Sequence, residues 1–326
     1  MNGLYPLKFK PIFKDKIWGG QKIKTSLGID FGNLPNCGEA WVMSGVEGNP
    51  TIVSNGYLAG NELNELVEIY MGELVGDKVF DQFGNEFPLL IKFIDSNDWL
   101  SIQVHPDDEL AKKRRIGRGK TEMWYILDAN KDAKLITGFN KETDKDEYLK
   151  NLESKTLKDI LNFEKVNKGD VFYIPAGRVH ALGPGCLLAE IQQTSDTTYR
   201  IYDWDRIDVS GMTRELHTKE ALDAIDFEFH EKYKTDYQAI ENVTSPLIES
   251  PYFTTRIIKL DKPVLKNYSD LDSFVIYLAT EGEVELKWDG GDINFKKGET
   301  LLIPASFDNL AINPLTKSTL LEVFIV

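Results

Sequence analysis

Ser101-Ile102-Gln103-Val104-His105-Pro106 alternates polar and apolar side chains, the period-2 signature of a strand with two unlike faces. Ser101, Gln103 and His105 point one way; Leu100, Ile102 and Val104 point the other. An imidazole and a carboxamide two residues apart on one face can reach a single metal ion. Taken alone, such a histidine is an ordinary strand interior residue, but two further segments change that reading. Lys120-Thr121-Glu122-Met123-Trp124-Tyr125 sets a carboxylate on a second apparent strand, and Gly177-Arg178-Val179-His180 sets a second histidine just past a third. Gln103, His105, Glu122 and His180 together form a nitrogen–oxygen donor set suited to a divalent metal.

The rest of the chain bounds the function around that set. Its 326 residues, 42% hydrophobic and 28% charged, have the composition of a globular protein, with two domains as the expectation from length. No apolar run approaches the roughly 20 residues that span a bilayer, and the first residues lack the apolar region of a signal peptide. Two cysteines, Cys37 and Cys186, are too few for a disulfide framework and fit a reducing cytoplasm. A net charge of −14 argues against nucleic-acid or anionic-membrane partners, which require a basic face. A small anionic substrate remains compatible, because a few cations reverse the sign of the field inside one pocket. Quaternary state has no signature in the sequence.

Periodicity predicts a helix over residues 61 to 76, with Asn61 as its N-cap, since Leu63, Leu66, Val67, Tyr70 and Leu74 share one helical face. Residues 88 to 104 read as a strand pair turning at Asp95-Ser96-Asn97-Asp98. Lys92 interrupts the first of these strands, and the residues alone leave two readings open: a lysine snorkelling from a sheet edge or a functional cation. Residues 122 to 127 and 133 to 138 read as paired strands, and residues 143 to 163 as helical from a Thr143/Asp146 capping box. Glu190 and Arg200 fall on two later strands.

A repeat then sets the architecture. Lys297-Gly298-Glu299-Thr300-Leu301-Leu302-Ile303-Pro304-Ala305 aligns with Lys168-Gly169-Asp170-Val171-Phe172-Tyr173-Ile174-Pro175-Ala176 at a constant offset, a register that carries His180 onto Asn309. One β-rich unit therefore occurs twice, and only the first copy has ligands. The predicted fold is mainly β: two jelly-roll sandwich or barrel units with a few helices. Residues 1–245 form the metal-binding unit, and residues 246–326 form a degenerate copy.

The segments Ser101 to Pro106, Gly119 to Tyr125, Pro175 to Leu182 and Glu190 to Arg200 resemble the cupins, and more closely the short bacterial form of the type I mannose-6-phosphate isomerases. Trp18-Gly19-Gly20 and Gly38-Glu39-Ala40-Trp41 are similar to the same family. The resemblance implies one zinc ion on Gln103, His105, Glu122 and His180, the four residues already chosen by chemistry. It also implies a catalytic role for Arg200, an acidic active-site residue at Glu190, and a substrate pocket lined by Ser101, Lys92 and Lys120. The implied reaction interconverts mannose 6-phosphate and fructose 6-phosphate through a cis-enediol, with Glu190 or Lys120 as the base. Two rivals are a metal cupin of another reaction class, such as an iron dioxygenase, and a non-catalytic binder of a sugar phosphate. The first wants more nitrogen ligands than four histidines supply, since His217 and His230 lie outside the motifs.

Overall fold

The computed structural model describes residues 3–207 and 211–326. Its backbone forms two antiparallel sandwiches. In the first, a seven-stranded sheet runs in the spatial order Lys234–Thr235, Val171–Ile174, Glu122–Ala129, Cys186–Gln193, Leu89–Ser96, Glu39–Met43 and Ile12–Lys14. A five-stranded sheet covers it, in the order Tyr199–Tyr202, Ile102–Val104, His180–Leu182, Lys134–Phe139 and Leu161–Lys165. The second sandwich pairs a five-stranded sheet, from Thr244–Glu249 to Thr300–Ile303, with a four-stranded one, from Val264–Asn267 to Gly291–Lys296. The strand Thr244–Glu249 starts two residues before the expected boundary at 246.

Alternation along the strands builds three apolar layers. Ile94, Trp124, Ile126, Ile174 and Leu188 face inward against Leu135 and Leu182 of the covering sheet. The opposite face of the same seven-stranded sheet carries Ile91, Phe93, Met123, Ala189 and Ile191, which pack on Ile257, Phe274, Ile276, Leu321 and Val323 of the second sandwich. The two large sheets are thus stacked back to back. All eight residues of Cys186–Gln193 are buried, Glu190, Gln192 and Gln193 among them. The second sandwich closes on its own core of Ile258, Tyr277, Leu286, Phe295 and Ile312.

Several local expectations are corrected. Residues 61 to 76 form two helices, Leu63–Tyr70 and Gly72–Val75, because Met71 takes a positive φ of 45° between them. Glu62, not Asn61, is the cap, exchanging hydrogen bonds with Glu65 in a capping box. The 143 to 163 segment is helical only over Lys145–Glu153, capped by Asp144; a 3₁₀ turn at Leu157–Ile160 and the strand Leu161–Lys165 follow. The strand Leu89–Ser96 does not pair with Ile102–Val104, nor Glu122–Ala129 with Lys134–Phe139; each pair is split between the two sheets. In a jelly roll the chain crosses the sandwich at these turns, and hydropathy marks a strand without telling which sheet receives it. No helix among the described residues is long and apolar enough to cross a membrane.

Candidate metal centre and its cavity

Three neighbouring strands of the five-stranded sheet place the first half of the site. Gln103 is in register with His180 on one side and with Arg200 on the other, so the three form one row across the sheet. Gly177, at φ +92°, makes the tight Pro-x-Gly turn that delivers His180, and its N–H donates to the His105 carbonyl at 2.9 Å. The facing sheet supplies a second row, in which Trp124 pairs with Glu190, Glu190 with Lys92, and Lys92 with Trp41. Glu122 lies two residues before Trp124 and shares its inward face.

These rows meet at a buried centre. Ligand atoms of His105, Glu122 and His180 lie within 4.8 Å of one another. Glu122 Oε1 is 3.4 Å from His180 Nε2, and Oε2 is 3.6 Å from His105 Nε2. The Gln103 carboxamide nitrogen stands 3.2 Å from His180 Nε2, and a half-turn of the amide would present its oxygen to the same point. His105 Nδ1 donates to the Thr197 carbonyl at 2.9 Å and His180 Nδ1 to the Arg178 carbonyl at 2.8 Å. A carbonyl only accepts, so each ring keeps its proton on Nδ1 and turns the Nε2 lone pair to the centre.

Electrostatics favour the same use. Burial, reinforced for His105 by the neighbouring Lys120 charge, pushes the His105 pKa well below the usual histidine range. For His180 burial brings it to about 4, so both rings are neutral, the form that ligates. Burial, with repulsion from Glu190, raises Glu122 to about 7 in the metal-free protein. Neither Glu122 oxygen accepts a hydrogen bond among the described residues, although Lys120 Nζ lies 3.2 Å from Oε2. A buried carboxylate with no hydrogen-bond donor of its own, between two tautomer-locked imidazoles, fits a divalent cation.

Above the centre opens a cavity of about 260 Å³, and Gln103, His180, Ser101, Lys92, Lys120, Glu190 and Arg200 all line it. Every site residue expected from sequence therefore lies at the centre or on this cavity. Lys92, however, is not an edge lysine: it sits buried on an interior strand, 3.0 Å from Glu190 Oε1. Trp124 Nε1 donates to Glu190 Oε2 at 2.8 Å. Burial works against the Glu190 charge, but Lys92 and Lys120 outweigh it and hold Glu190 ionised. Lys120 Nζ is also 3.0 Å from His105 Nε2.

Sequence reasoning assigned no role to Glu39, Trp41, Lys14, Lys16, Asp196 or Arg214, which share the cavity wall. Glu39 is partly buried against Lys92, Lys16 and Trp41; these overcome the burial penalty and lower its pKa to about 2. Its motif, Gly38 to Trp41, was a visible signal without a function. Arg214 and the lysines had none, because they arrive from segments distant in sequence.

The second sandwich repeats the scaffold without the donors. Tyr277 pairs with Glu322 and Glu322 with Arg256, in the positions of Trp124, Glu190 and Lys92. Val275, in register with Ile303, stands where Glu122 stands beside Ile174. The expected His180-to-Asn309 register is corrected here: the second turn is one residue longer, so Leu310 points inward and Asn309 is exposed. Leu310 pairs with Lys266, which occupies the place of Gln103, and Tyr268 that of His105. Lys266 Nζ lies 2.6 Å from Glu322 Oε1, and the Tyr268 and Tyr277 hydroxyls bond the same oxygen.

Fold and site together define a two-sandwich cupin in which, among the described residues, a candidate histidine–carboxylate metal centre occurs in the first unit only. Residues 6–143 match the type I phosphomannose isomerase catalytic-domain model, and residues 243–318 the mannose-6-phosphate isomerase cupin-domain model. Over 308 residues the chain is 40% identical to the mannose-6-phosphate isomerase ManA of Bacillus subtilis, covering 92% of this chain and 93% of that one. A Streptococcus mutans mannose-6-phosphate isomerase is 33% identical, covering 92% of each. The crystal structure of the Bacillus subtilis mannose 6-phosphate isomerase superposes with a TM-score of 0.87 at 33% identity, covering 98% of this chain and 99% of that one. The chain belongs to the type I phosphomannose isomerase family.

Proposed function

We infer that this enzyme interconverts mannose 6-phosphate and fructose 6-phosphate, and that one divalent metal per chain, zinc, is held by Gln103, His105, Glu122 and His180. The observation that carries this is the buried Glu122 carboxylate, flanked by the Lys120 ammonium but accepting no hydrogen bond among the described residues, between two neutral, tautomer-locked imidazoles at the floor of a cavity that also holds Glu190 and Arg200. The reaction removes the C2 proton of the open-chain sugar and returns a proton to C1. Bound there, a divalent metal supplies Lewis-acid polarisation of the sugar oxygens. Glu190 is the base: it is ionised, free of ligand duty, and fixed by Lys92 and Trp124. Lys120 sets positive charge beside the centre, and Arg200 stabilises the enediol oxygens without transferring a proton. Ser101 and Lys92 position the sugar chain.

Residues 246–326 are assigned a structural role, because Lys266, Tyr268, Val275 and Leu310 stand at the four proposed ligand positions and the Lys266–Glu322 ion pair fills the space between the sheets. Two free, buried cysteines suit work in a reducing cytoplasm. The test is a coupled isomerase assay on purified enzyme before and after chelation, with metal analysis of wild type and His180→Ala. Wild type should carry one zinc, lose turnover on chelation and regain it with zinc; His180→Ala should lose stoichiometric metal. Full metal stoichiometry and affinity in His180→Ala would sink the assignment of the centre. Fructose 6-phosphate binding without isomerisation at high enzyme concentration would make the protein a binder instead.

A further inference from the structure

The turn that delivers His180 is gripped by residues that do not line the cavity. It crosses from the strand Val171–Ile174 in one sheet to His180–Leu182 in the other. The Gly177 carbonyl accepts from the Asp226 N–H at 2.9 Å, and the Val179 carbonyl from the Gly138 N–H at 2.7 Å. Between them lies Arg178, whose carbonyl takes the Nδ1 proton of His180 at 2.8 Å. The Arg178 side chain is half-buried and pinned at its far end. Its Nη1 donates to the Tyr173 carbonyl at 3.0 Å, and its guanidinium lies 5.1 Å over the Tyr233 ring.

Tyr233 is buried, and its hydroxyl is saturated. It donates to the Phe139 carbonyl at 2.9 Å and accepts from the N–H groups of Phe139 at 3.1 Å and His230 at 3.3 Å. These bonds use the one proton and both lone pairs of a phenol. Gly138, at φ +65°, makes room for the ring, since a Cβ there would run into it. Thr137, one residue earlier, is the register partner of His180. Tyr233 therefore ties the strand beside His180 to the guanidinium of Arg178, and leads into Lys234–Thr235 at the edge of the facing sheet.

We propose that Arg178 and Tyr233 are positioning residues for the metal centre. The ring holds the guanidinium, the pinned side chain fixes the Arg178 peptide, and its carbonyl aims His180 Nε2 at the point shared with His105 and Glu122. The proposal rests on the metal-dependent reading and deepens it. Neither side chain lines the cavity, so their effect falls on how tightly metal is held and not on the sugar. The hydrogen bond on the second nitrogen orients a histidine ligand, and disturbing that partner weakens metal binding about 10- to 100-fold.

Zinc dissociation constants, measured against a chromophoric chelator on metal-free Arg178→Gln and Tyr233→Leu, test it. Each variant should raise Kd for zinc about 10- to 100-fold. The double variant should be no weaker than the worse single one, because the two residues act in series. Arg178→Lys restores a cation over the ring and should regain part of the loss. At saturating zinc, kcat and KM for mannose 6-phosphate should stay within about threefold of wild type. Melting of the metal-free proteins verifies the fold, and Arg178→Gln carries the test should Tyr233→Leu not fold. Lys266→Met, a destabilising change in the second unit, should leave Kd unmoved. A Kd within about threefold of wild type in folded Arg178→Gln overturns the proposal. So do an equal loss in Lys266→Met, losses that multiply in the double variant, or a fall in kcat that saturating zinc does not restore. Wild-type enzyme that takes up no zinc defeats the metal reading itself; tight wild-type binding beside unmoved variants defeats only this proposal.

Discussion

Replacing Arg200 with alanine separates catalysis from folding. A guanidinium carries five N–H donors. In the resting structure Nη1 donates to the Glu215 carbonyl at 2.8 Å, and Nε is buried without a partner among the described residues. An unsatisfied buried donor costs about 1–3 kcal/mol. That cost is relieved only when an oxygen with developing charge arrives, so the interaction is stronger in the transition state than in the free enzyme. Losing one preorganised donor of this kind lowers kcat about 10²- to 10³-fold, equivalent to about 2.7–4 kcal/mol. Folding should respond differently. The lost Glu215 hydrogen bond, about 1 kcal/mol, is offset by removal of the orphaned donor. The Arg200 N–H donates to His217 Nδ1 at 3.2 Å and the His217 N–H to the Arg200 carbonyl at 2.7 Å; both bonds need no side chain from Arg200 and keep the strand in place. Urea denaturation of Arg200→Ala should therefore give a stability within about 1 kcal/mol of wild type, while kcat collapses and KM moves little. Arg200→Lys should recover little, since a compact ammonium cannot reproduce the fork. A kcat within tenfold of wild type in folded, metal-replete Arg200→Ala would remove the guanidinium from the mechanism.

Two further outcomes follow from buried charge. Lys266→Met strips the fully buried Glu322 of its ammonium partner and should cost about 3–5 kcal/mol in urea denaturation; metal content should be unchanged, and Lys266→Met/Glu322→Gln should regain part of the loss. A cost below about 1 kcal/mol, or loss of metal, would contradict the filled, structural second unit. Glu39 has a folded pKa of about 2 against an ordinary 4.5, so its unfolded form takes up a proton first on acidification. Its stabilisation is complete above about pH 4.5 and is lost as pH falls through that value toward 2. Urea midpoints measured across this window should fall less steeply in Glu39→Gln than in wild type, and identical slopes would refute the pairing.

The convergence of the four proposed ligand positions was legible in the sequence because a strand fixes the face of each side chain by parity alone. Gln103 and His105 are two apart, Glu122 opens its strand, and the Pro-x-Gly turn announces His180. Parity does not choose a partner strand. Leu89–Ser96 and Ile102–Val104 were readable as strands yet not as members of opposite sheets, since the crossing of the sandwich is set by tertiary packing. Lys92 shows the consequence. On an edge it would be a snorkelling cation; between Cys186–Gln193 and Glu39–Met43 it becomes the buried counter-ion of Glu190. The helix expected over residues 143 to 163 failed for a local reason. Lys155 takes a positive φ of 60°, and the leucines and isoleucine after it serve a 3₁₀ turn and a strand rather than a helical face.

The repeat carries the same argument to the level of function. Sequence alignment at constant offset is sound along a strand, where Val171–Ile174 and Thr300–Ile303 pair identically with their neighbours. Across a turn it is only as good as the loop length, and one additional residue moves Asn309 to solvent and Leu310 to the interior. With the register corrected, every inward position of the candidate metal centre has a counterpart; none of the four proposed ligands is kept, whereas Glu190 keeps its carboxylate as Glu322 and Lys92 its positive charge as Arg256. There the carboxylate faces a lysine ammonium and two phenols instead of a cavity. A carboxylate at this position is thus compatible with the scaffold in either unit. The open cavity and the paired imidazoles of the first, rather than the sandwich, are what would let Glu190 work as the proposed base. Chemistry in this family member therefore resides in which side chains fill one row of an unchanged sheet.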